Sequence, residues 1–374
     1  MSLSEVTVSR EALLFNLRQF RGLPGGQRIL SVVKSEAYGH GLTNVARAIE
    51  SAVDYLGTVS LDEALRLREA GIKKPVIVLS FYELDRVGDA IKNGVSLVVY
   101  DLKQADAIDR AAAKLKVRAP VHLKVDTGTS RLGVLSDEFP LFAQAVARRK
   151  NLAIEGLMSH FSSSEEDLAY TRRQLALFEK AYAELASRGI APGLKHIACT
   201  AAGLELPESR DNLMRVGLGT YGLWPSEQTR KKTLSLLPDF RLKPALTWRT
   251  RIIQVKNLPK GSPVGYGKTF VTKRPTRLAV LPVGYFDGYD RKLTNRGSVL
   301  IGGKRCPVLG RICMNLTMVD VTAVKSARTS DEAVLLGRQG REEVSAEEMA
   351  GHIGTINYEV VTRINPSVPR KMVK

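Results

Sequence analysis

From residue 28 to about 222 the chain alternates short β-branched runs with longer amphipathic segments. This switching between a period of two and a period of 3.6 limits the fold more than any other feature. The strand candidates are 29–33, 55–60, 76–80, 97–100, 120–125, 153–158, 196–199 and 213–218, with helical patterns at 61–70, 102–115, 140–150 and 168–188. Eight strand-then-helix units in about 200 residues is the count of a (β/α)8 TIM-like barrel. Alternation alone leaves a doubly wound open sheet in play, although no G-x-G-x-x-G follows the first strand.

After about Ser235 the pattern changes. Segments 249–255, 277–283, 298–301, 305–309 and 317–321 read as short strands with Gly/Pro turns and little helix, the pattern of a separate, mainly antiparallel β domain. Residues 5–8 alternate too and are expected to join that domain before a helix at 10–21. The expected organisation is α/β plus β: a barrel over 9–235, and a β domain over 236–374 together with the N-terminal strand 1–8.

Composition narrows the class. The chain of 374 residues is long enough for two or three domains, and its 44% apolar and 25% charged residues are those of an ordinary globular protein. No apolar stretch reaches the roughly 20 residues of a membrane helix, and the start Met-Ser-Leu-Ser-Glu-Val lacks a secretory pattern. A cytoplasmic location is expected, with no membrane partner. Three cysteines, Cys199, Cys306 and Cys313, form neither a disulfide framework nor a close metal-binding pair. The net charge of +18 raises nucleic-acid binding. Its basic residues are scattered, however, without aromatic interleaving or a recognisable motif, so no nucleic-acid partner is expected.

Barrel enzymes place reactive groups at the C-terminal ends of strands. Those ends carry Lys34, then Lys124-Val125-Asp126-Thr127-Gly128, His160, Cys199-Thr200 and Arg215-Val216-Gly217. Taken singly, Lys34 is a snorkelling lysine, His160 a satisfied core histidine, and Asp126 with Arg131 a salt bridge. Packing does not explain amine, imidazole, hydroxyl and guanidinium groups at five ends of one barrel.

The motifs in order are Val33-Lys34-Ser35-Glu36-Ala37-Tyr38-Gly39-His40-Gly41, Leu123 through Gly133 with Arg131, and Gly156-Leu157-Met158-Ser159-His160-Phe161. They continue with Arg215-Val216-Gly217-Leu218-Gly219-Thr220-Tyr221-Gly222, Val264-Gly265-Tyr266-Gly267 and Pro282 through Tyr289 with Tyr285. Gly310-Arg311-Ile312-Cys313-Met314 and Asn357-Tyr358-Glu359 complete the set. Over nearly the full chain these resemble the successive motifs of the alanine racemases, enzymes of the pyridoxal phosphate (PLP) fold type III group.

The resemblance implies racemisation of L- and D-alanine, supplying D-alanine for peptidoglycan. It implies that Lys34 holds PLP as a Schiff base and serves as one base, with Tyr266 as the base on the opposite face of the substrate Cα. His160 is implied to tune that phenol, whose ordinary pKa near ~10 is too high for a base. Arg215 matches the arginine at the pyridine nitrogen. A guanidinium has no acceptor lone pair, so it leaves the nitrogen unprotonated and disfavours transamination. Tyr38, Thr200, Tyr358 and the amides of Gly217 and Leu218 are implied to hold the phosphate. Arg131 and the Met314 amide are implied to meet the substrate carboxylate. Lys124 matches a lysine carbamylated in many relatives, and His196, Tyr285 and Arg311 are implied supporting residues. Tyr266 and Met314 are implied to act on the barrel of a second subunit, which makes the enzyme a homodimer with composite sites.

Several positions depart from the family pattern. Thr129-Ser130 replaces Met-Gly, Cys199 replaces asparagine, Thr200 replaces serine and Val216 replaces proline. Asn315 stands for aspartate, and Glu165 falls near the usual aspartate of the substrate path. Loss of the negative charge at 315 leads to the expectation of looser substrate selection, with serine as the alternative substrate. A basic amino-acid decarboxylase is disfavoured by Arg215, because those enzymes use an acidic group at the pyridine nitrogen. A non-catalytic PLP carrier is disfavoured by the long β segment with Tyr266.

Overall fold

The computed structural model describes residues 3–374. It divides into two compact units: one of residues 12–35 and 42–243, and one of residues 3–11, 36–41 and 244–374. The expected boundary at 235/236 falls in the last turn of helix Glu227–Leu236, which belongs to the first unit.

The first unit is a parallel barrel. Its strands are Arg28–Val32, Tyr55–Thr58, Val76–Val78, Val95–Val99, Ala119–Asp126, Leu152–Met158, Leu194–His196 and Leu213–Val216. Ladders join them in that order, and the last strand pairs back onto the first, with Leu213 opposite Arg28. At the remaining seam the Arg215 amide donates to the Ala198 carbonyl at 3.2 Å. The barrel is therefore nearly closed, and all eight strands overlap the expected runs, the seventh, Leu194–His196, only at its last residue.

Local chemistry explains the helix ends. Ser60, Asp101 and Asp167 cap the helices Leu61–Glu69, Leu102–Leu115 and Leu168–Ser187 by accepting first-turn N–H groups. Along Ala119–Asp126, His122, Lys124 and Asp126 share one face by the period of two. All three are buried. The ladder to Leu152–Met158 shifts register between Val121 and His122, which sets His122 opposite Gly156.

The second unit is built on sheets. In the largest, the opening strand Glu5–Ser9 pairs antiparallel with Leu246–Arg251 and parallel with Arg370–Val373. The expected strand 249–255 is two strands: Leu246–Arg251 in that sheet and Gln254–Leu258 in a three-stranded sheet with Thr276–Leu281 and Thr317–Asp320. The chain changes sheets at Ile252, whose buried side chain interrupts an otherwise polar run. The expectation of little helix needs correction. Ala346–Ile353, capped by Ser345, and Asn357–Thr362 are helical. Between them Gly354, at φ +74°, closes the first helix in the left-handed conformation that glycine adopts cheaply. The long strand Glu332–Gln339 also escaped the pattern, since its middle residues 333–336 are buried on both sides and do not alternate.

Candidate active site

Lys34 lies just past strand Arg28–Val32, where the Val33 amide still donates to the Gly57 carbonyl at 2.8 Å. The chain then makes a left-handed turn: Ser35, Glu36, Ala37 and Tyr38 all sit at φ of 53–54°. None is glycine, and the left-handed helix costs L-residues roughly 1–2 kcal/mol each. Strain of this kind persists only where surrounding contacts fix it, and it concentrates at functional sites. One such contact is the Glu63 carboxylate, which accepts from the Ser35 amide at 2.5 Å and from the Val59 amide at 3.0 Å.

Around Lys34 the barrel gathers cations. Burial and the charge of Arg131 lower the proton affinity of the Lys34 amine, against a smaller pull from Glu63. Lys124 is buried and is pushed down to about 8 by burial, then by Arg215 and Arg131, with Asp126 opposing. Asp126 does not pair with Arg131. Its Oδ1 accepts from the Gly128 and Thr129 amides at 2.8 Å each and from the Thr129 hydroxyl at 3.2 Å, shaping the loop before Arg131.

Arg215 is buried, and among the described residues no carboxylate pairs with it. Its Nη1 donates to the His196 carbonyl at 2.7 Å and to His196 Nδ1 at 3.0 Å. Its Nη2 donates to the carbonyls of Ser159 and Ile197 at 2.7 and 2.9 Å and to His160 Nδ1 at 3.0 Å. Burial pushes it down to about 10, still far above neutrality. Burial and Arg215 together hold the His160 and His196 imidazoles neutral.

Thr200 opens the helix Thr200–Glu205, and its hydroxyl accepts from the amides of Gly217 and Gly219 at 3.2 and 3.4 Å. Gly219 is required by packing: a Cβ there would lie 2.4 Å from the Phe20 ring and 2.9 Å from Thr200 Cγ2. With two amides donating to its oxygen, the Thr200 hydroxyl keeps its own proton to donate. The donor set therefore suits PLP, with a depressed lysine amine for its aldehyde, the Thr200 hydroxyl for its phosphate, and a guanidinium that meets no carboxylate among the described residues.

The β unit holds a second constellation. Tyr266 is 72% exposed in the loop 265–268, and Met314 is 54% exposed. Arg311 packs on that loop, its guanidinium 2.9 Å from where a Gly267 side chain would begin. The Tyr285 amide donates to the Cys313 carbonyl at 3.1 Å, and the Phe286 amide to the Met314 carbonyl at 3.0 Å. In the same unit the rings of Tyr38 and Tyr358 lie 6.2 Å apart. The structure thus brings Lys34, Lys124, Arg131, His160, His196, Thr200, Arg215, Gly217 and Leu218 to the C-terminal side of the barrel strands. Tyr266, Tyr285, Arg311 and Met314 cluster in the β unit. Sequence reasoning missed His122, whose i, i+2 spacing to Lys124 on a barrel strand signalled that it faces inward, and Glu63.

Comparison with known proteins agrees with this geometry. The alanine racemase N-terminal domain family matches residues 8–225, and the C-terminal domain family matches residues 245–372. An alanine racemase of Syntrophobacter fumaroxidans is 41% identical over 367 residues, covering 97% of this chain and 96% of that protein. An alanine racemase structure from Clostridium difficile 630 superposes with a TM-score of 0.93 at 31% identity, covering 100% of this chain and 96% of that one. One from Streptomyces lavendulae gives 0.92 at 35% identity, covering 100% and 98%. With both domains matched in order, this chain belongs to the alanine racemase family, the PLP-dependent enzymes that interconvert L- and D-alanine.

Proposed function

We propose that this chain racemises alanine by a two-base mechanism, with the Lys34 amine on one face of the substrate Cα and the partner subunit's Tyr266 on the other. When bound, PLP supplies the electron-withdrawing ring that makes the Cα proton acidic. Lys34 Nζ takes or returns a proton on its face. The depressed affinity of its amine supports this role, since a base must be partly neutral to act. Tyr266 Oη exchanges a proton on the opposite face, and its exposure leaves it free to do so.

His160 supports the tyrosine. Arg215 can only donate, so His160 Nδ1 accepts and its proton sits on Nε2. That Nε2–H is a donor for the oxygen of the partner's Tyr266. Arg215 offers the pyridine nitrogen a group that stays protonated, which limits charge delocalisation and keeps exchange at Cα. Thr200 with the Gly217 and Leu218 amides, and Tyr38 with Tyr358, are assigned to the phosphate. Arg131 and the Met314 amide are assigned to the substrate carboxylate, and His196, Tyr285 and Arg311 to supporting roles. Burial leaves the Lys124 amine partly neutral, so it is suited to take up carbon dioxide as a carbamate, releasing one proton, and then to orient Arg131.

A head-to-tail homodimer follows from the assignment of Tyr266 and Met314. It is supported by the exposed Tyr266, Tyr285, Phe286 and Met314 in one unit. Three free thiols suit a reducing cytoplasm, and no helix among the described residues is long and apolar enough to cross a membrane. Supply of D-alanine to peptidoglycan is the assigned use.

The single observation that carries the mechanism is Arg215 held by acceptors alone, with no carboxylate partner. The test is conversion of each alanine enantiomer in D2O. Purified protein should be coloured by PLP and incorporate solvent deuterium at Cα, and Lys34→Ala should lose both colour and exchange. A colourless preparation that PLP cannot reactivate overturns the reading.

A further inference from the structure

A line of polar groups runs through the barrel interior, away from the residues assigned above. Beyond Arg215, His196 Nε2 lies 3.0 Å from His122 Nδ1, with the two rings edge to face at 5.1 Å. His122 is fully buried. Its Nε2 has no hydrogen-bond partner, and the nearest anion is the Glu155 carboxylate at 4.0 Å. Glu155 is 44% exposed, and Ser96 Oγ contacts it at 3.5 Å.

Donor and acceptor roles along this line follow from one end. Arg215 has no acceptor, so His196 Nδ1 must present its lone pair and keep its proton on Nε2. That proton points at His122 Nδ1, which must then accept, leaving the His122 proton on the buried Nε2. The reverse tautomers would set a donor against the guanidinium. Burial pushes His122 down to about 3, so the ring stays neutral and has a single proton to place. At 4.0 Å the remaining gap exceeds a direct hydrogen bond, so the carboxylate acts on the His122 N–H through its charge.

We propose that Glu155 is a positioning residue for Arg215, standing at the end of a directed chain Arg215→His196→His122 in which each group donates to the next and the last N–H faces the Glu155 carboxylate. The carboxylate ends the chain on a full negative charge, strengthens each acceptor along it, and fixes the guanidinium that limits the cofactor's chemistry. Gly156 is part of the device: a Cβ there would lie 2.1 Å from His122 Nδ1, so the ring reaches its place only beside glycine. The proposal rests on the assignment of Arg215 to the pyridine nitrogen.

The test uses 15N-histidine-labelled holoenzyme, in which five histidines keep the spectra assignable. Wild type should show His122 and His196 as neutral Nε2–H tautomers. In Glu155→Val the His122 Nε2 signal should move and its proton should exchange faster with water. The same variant should lose kcat by about threefold to tenfold, the size of one modest hydrogen bond. KM should hold within about twofold, and a larger share of turnovers should end in transamination. Glu155→Gln retains an acceptor oxygen and should recover most of the wild-type signal and partition. A His122 protonated on Nδ1 overturns the proposal. So does a Glu155→Val enzyme with unchanged imidazole signals and unchanged partition between racemisation and transamination, even if its melting temperature falls. If Arg215→Lys leaves that partition unchanged, the assignment of Arg215 fails, whatever the imidazoles report.

Discussion

Arg215 Nη2 lies 3.0 Å from His160 Nδ1. Because a guanidinium only donates, this contact decides which nitrogen of His160 carries the proton. The same guanidinium sits on three backbone carbonyls, so its orientation is set by the ends of neighbouring strands.

Arg215→Lys keeps the charge and loses the fork. A lysine offers three rotatable donors in place of five in a plane, and cannot hold three carbonyls and two imidazoles at once. Racemisation should fall by about 100-fold, and pyruvate from transamination should become detectable by product analysis. Wild-type partition in that variant refutes the role.

Tyr266→Phe should retain PLP colour and lose turnover by a factor on the order of 100 or more. The hydroxyl lies on an exposed ring, so unfolding stability should change by less than about 0.5 kcal/mol. A variant racemising at full rate removes Tyr266 from the mechanism.

Glu63→Ala removes the acceptor of the Ser35 and Val59 amides. Leaving two amides short of partners should cost on the order of 1–3 kcal/mol. Because the turn leads directly from Lys34, PLP occupancy should fall with stability, which cofactor titration and thermal melts would show together. Unchanged occupancy means that the left-handed turn is held by other contacts.

His40 is buried, contacts the Tyr38 carbonyl at 2.9 Å, and is pushed down to about 4 by burial. Its folded pKa lies below the unfolded 6.5, so the unfolded chain binds more protons between those values. Stability from this group is therefore complete above pH 6.5 and is lost as pH falls toward 4. Wild type should lose about 1.4 kcal/mol more per pH unit in that window than His40→Gln. Asp211, pushed up to about 6, titrates in the opposite sense but is common to both proteins, so it cancels. Parallel stability curves would rule this contribution out.

Asn315 follows Met314 and is exposed, at the position where the family resemblance leads to the expectation of an aspartate. Asn315→Asp restores a negative charge beside the group assigned to the substrate carboxylate. It should lower kcat/KM for serine relative to alanine by at least about threefold. Negligible serine turnover in wild type, with no change in the variant, retires the idea of broader specificity.

The sequence alone carried the barrel because most of its strands are short β-branched runs, and three of them lead into helices with their own capping residues, Ser60, Asp101 and Asp167. Strand Ala119–Asp126 and helix Leu102–Leu115 are legible without any distant contact. It also singled out Lys34, Arg215 and Tyr266 as candidates, since motif order is read without coordinates. Three features needed the tertiary structure. Residues 35–38 contain no glycine, so local propensity gives no hint of a left-handed turn that contacts such as Glu63 hold in place. Strand Glu332–Gln339 is buried on both faces over residues 333–336 and there loses the alternation that announces a strand. The Arg215–His196–His122 line joins residues 74 and 19 positions apart. Only closure of the barrel brings three distant strands close enough for one guanidinium to dictate where two imidazoles keep their protons.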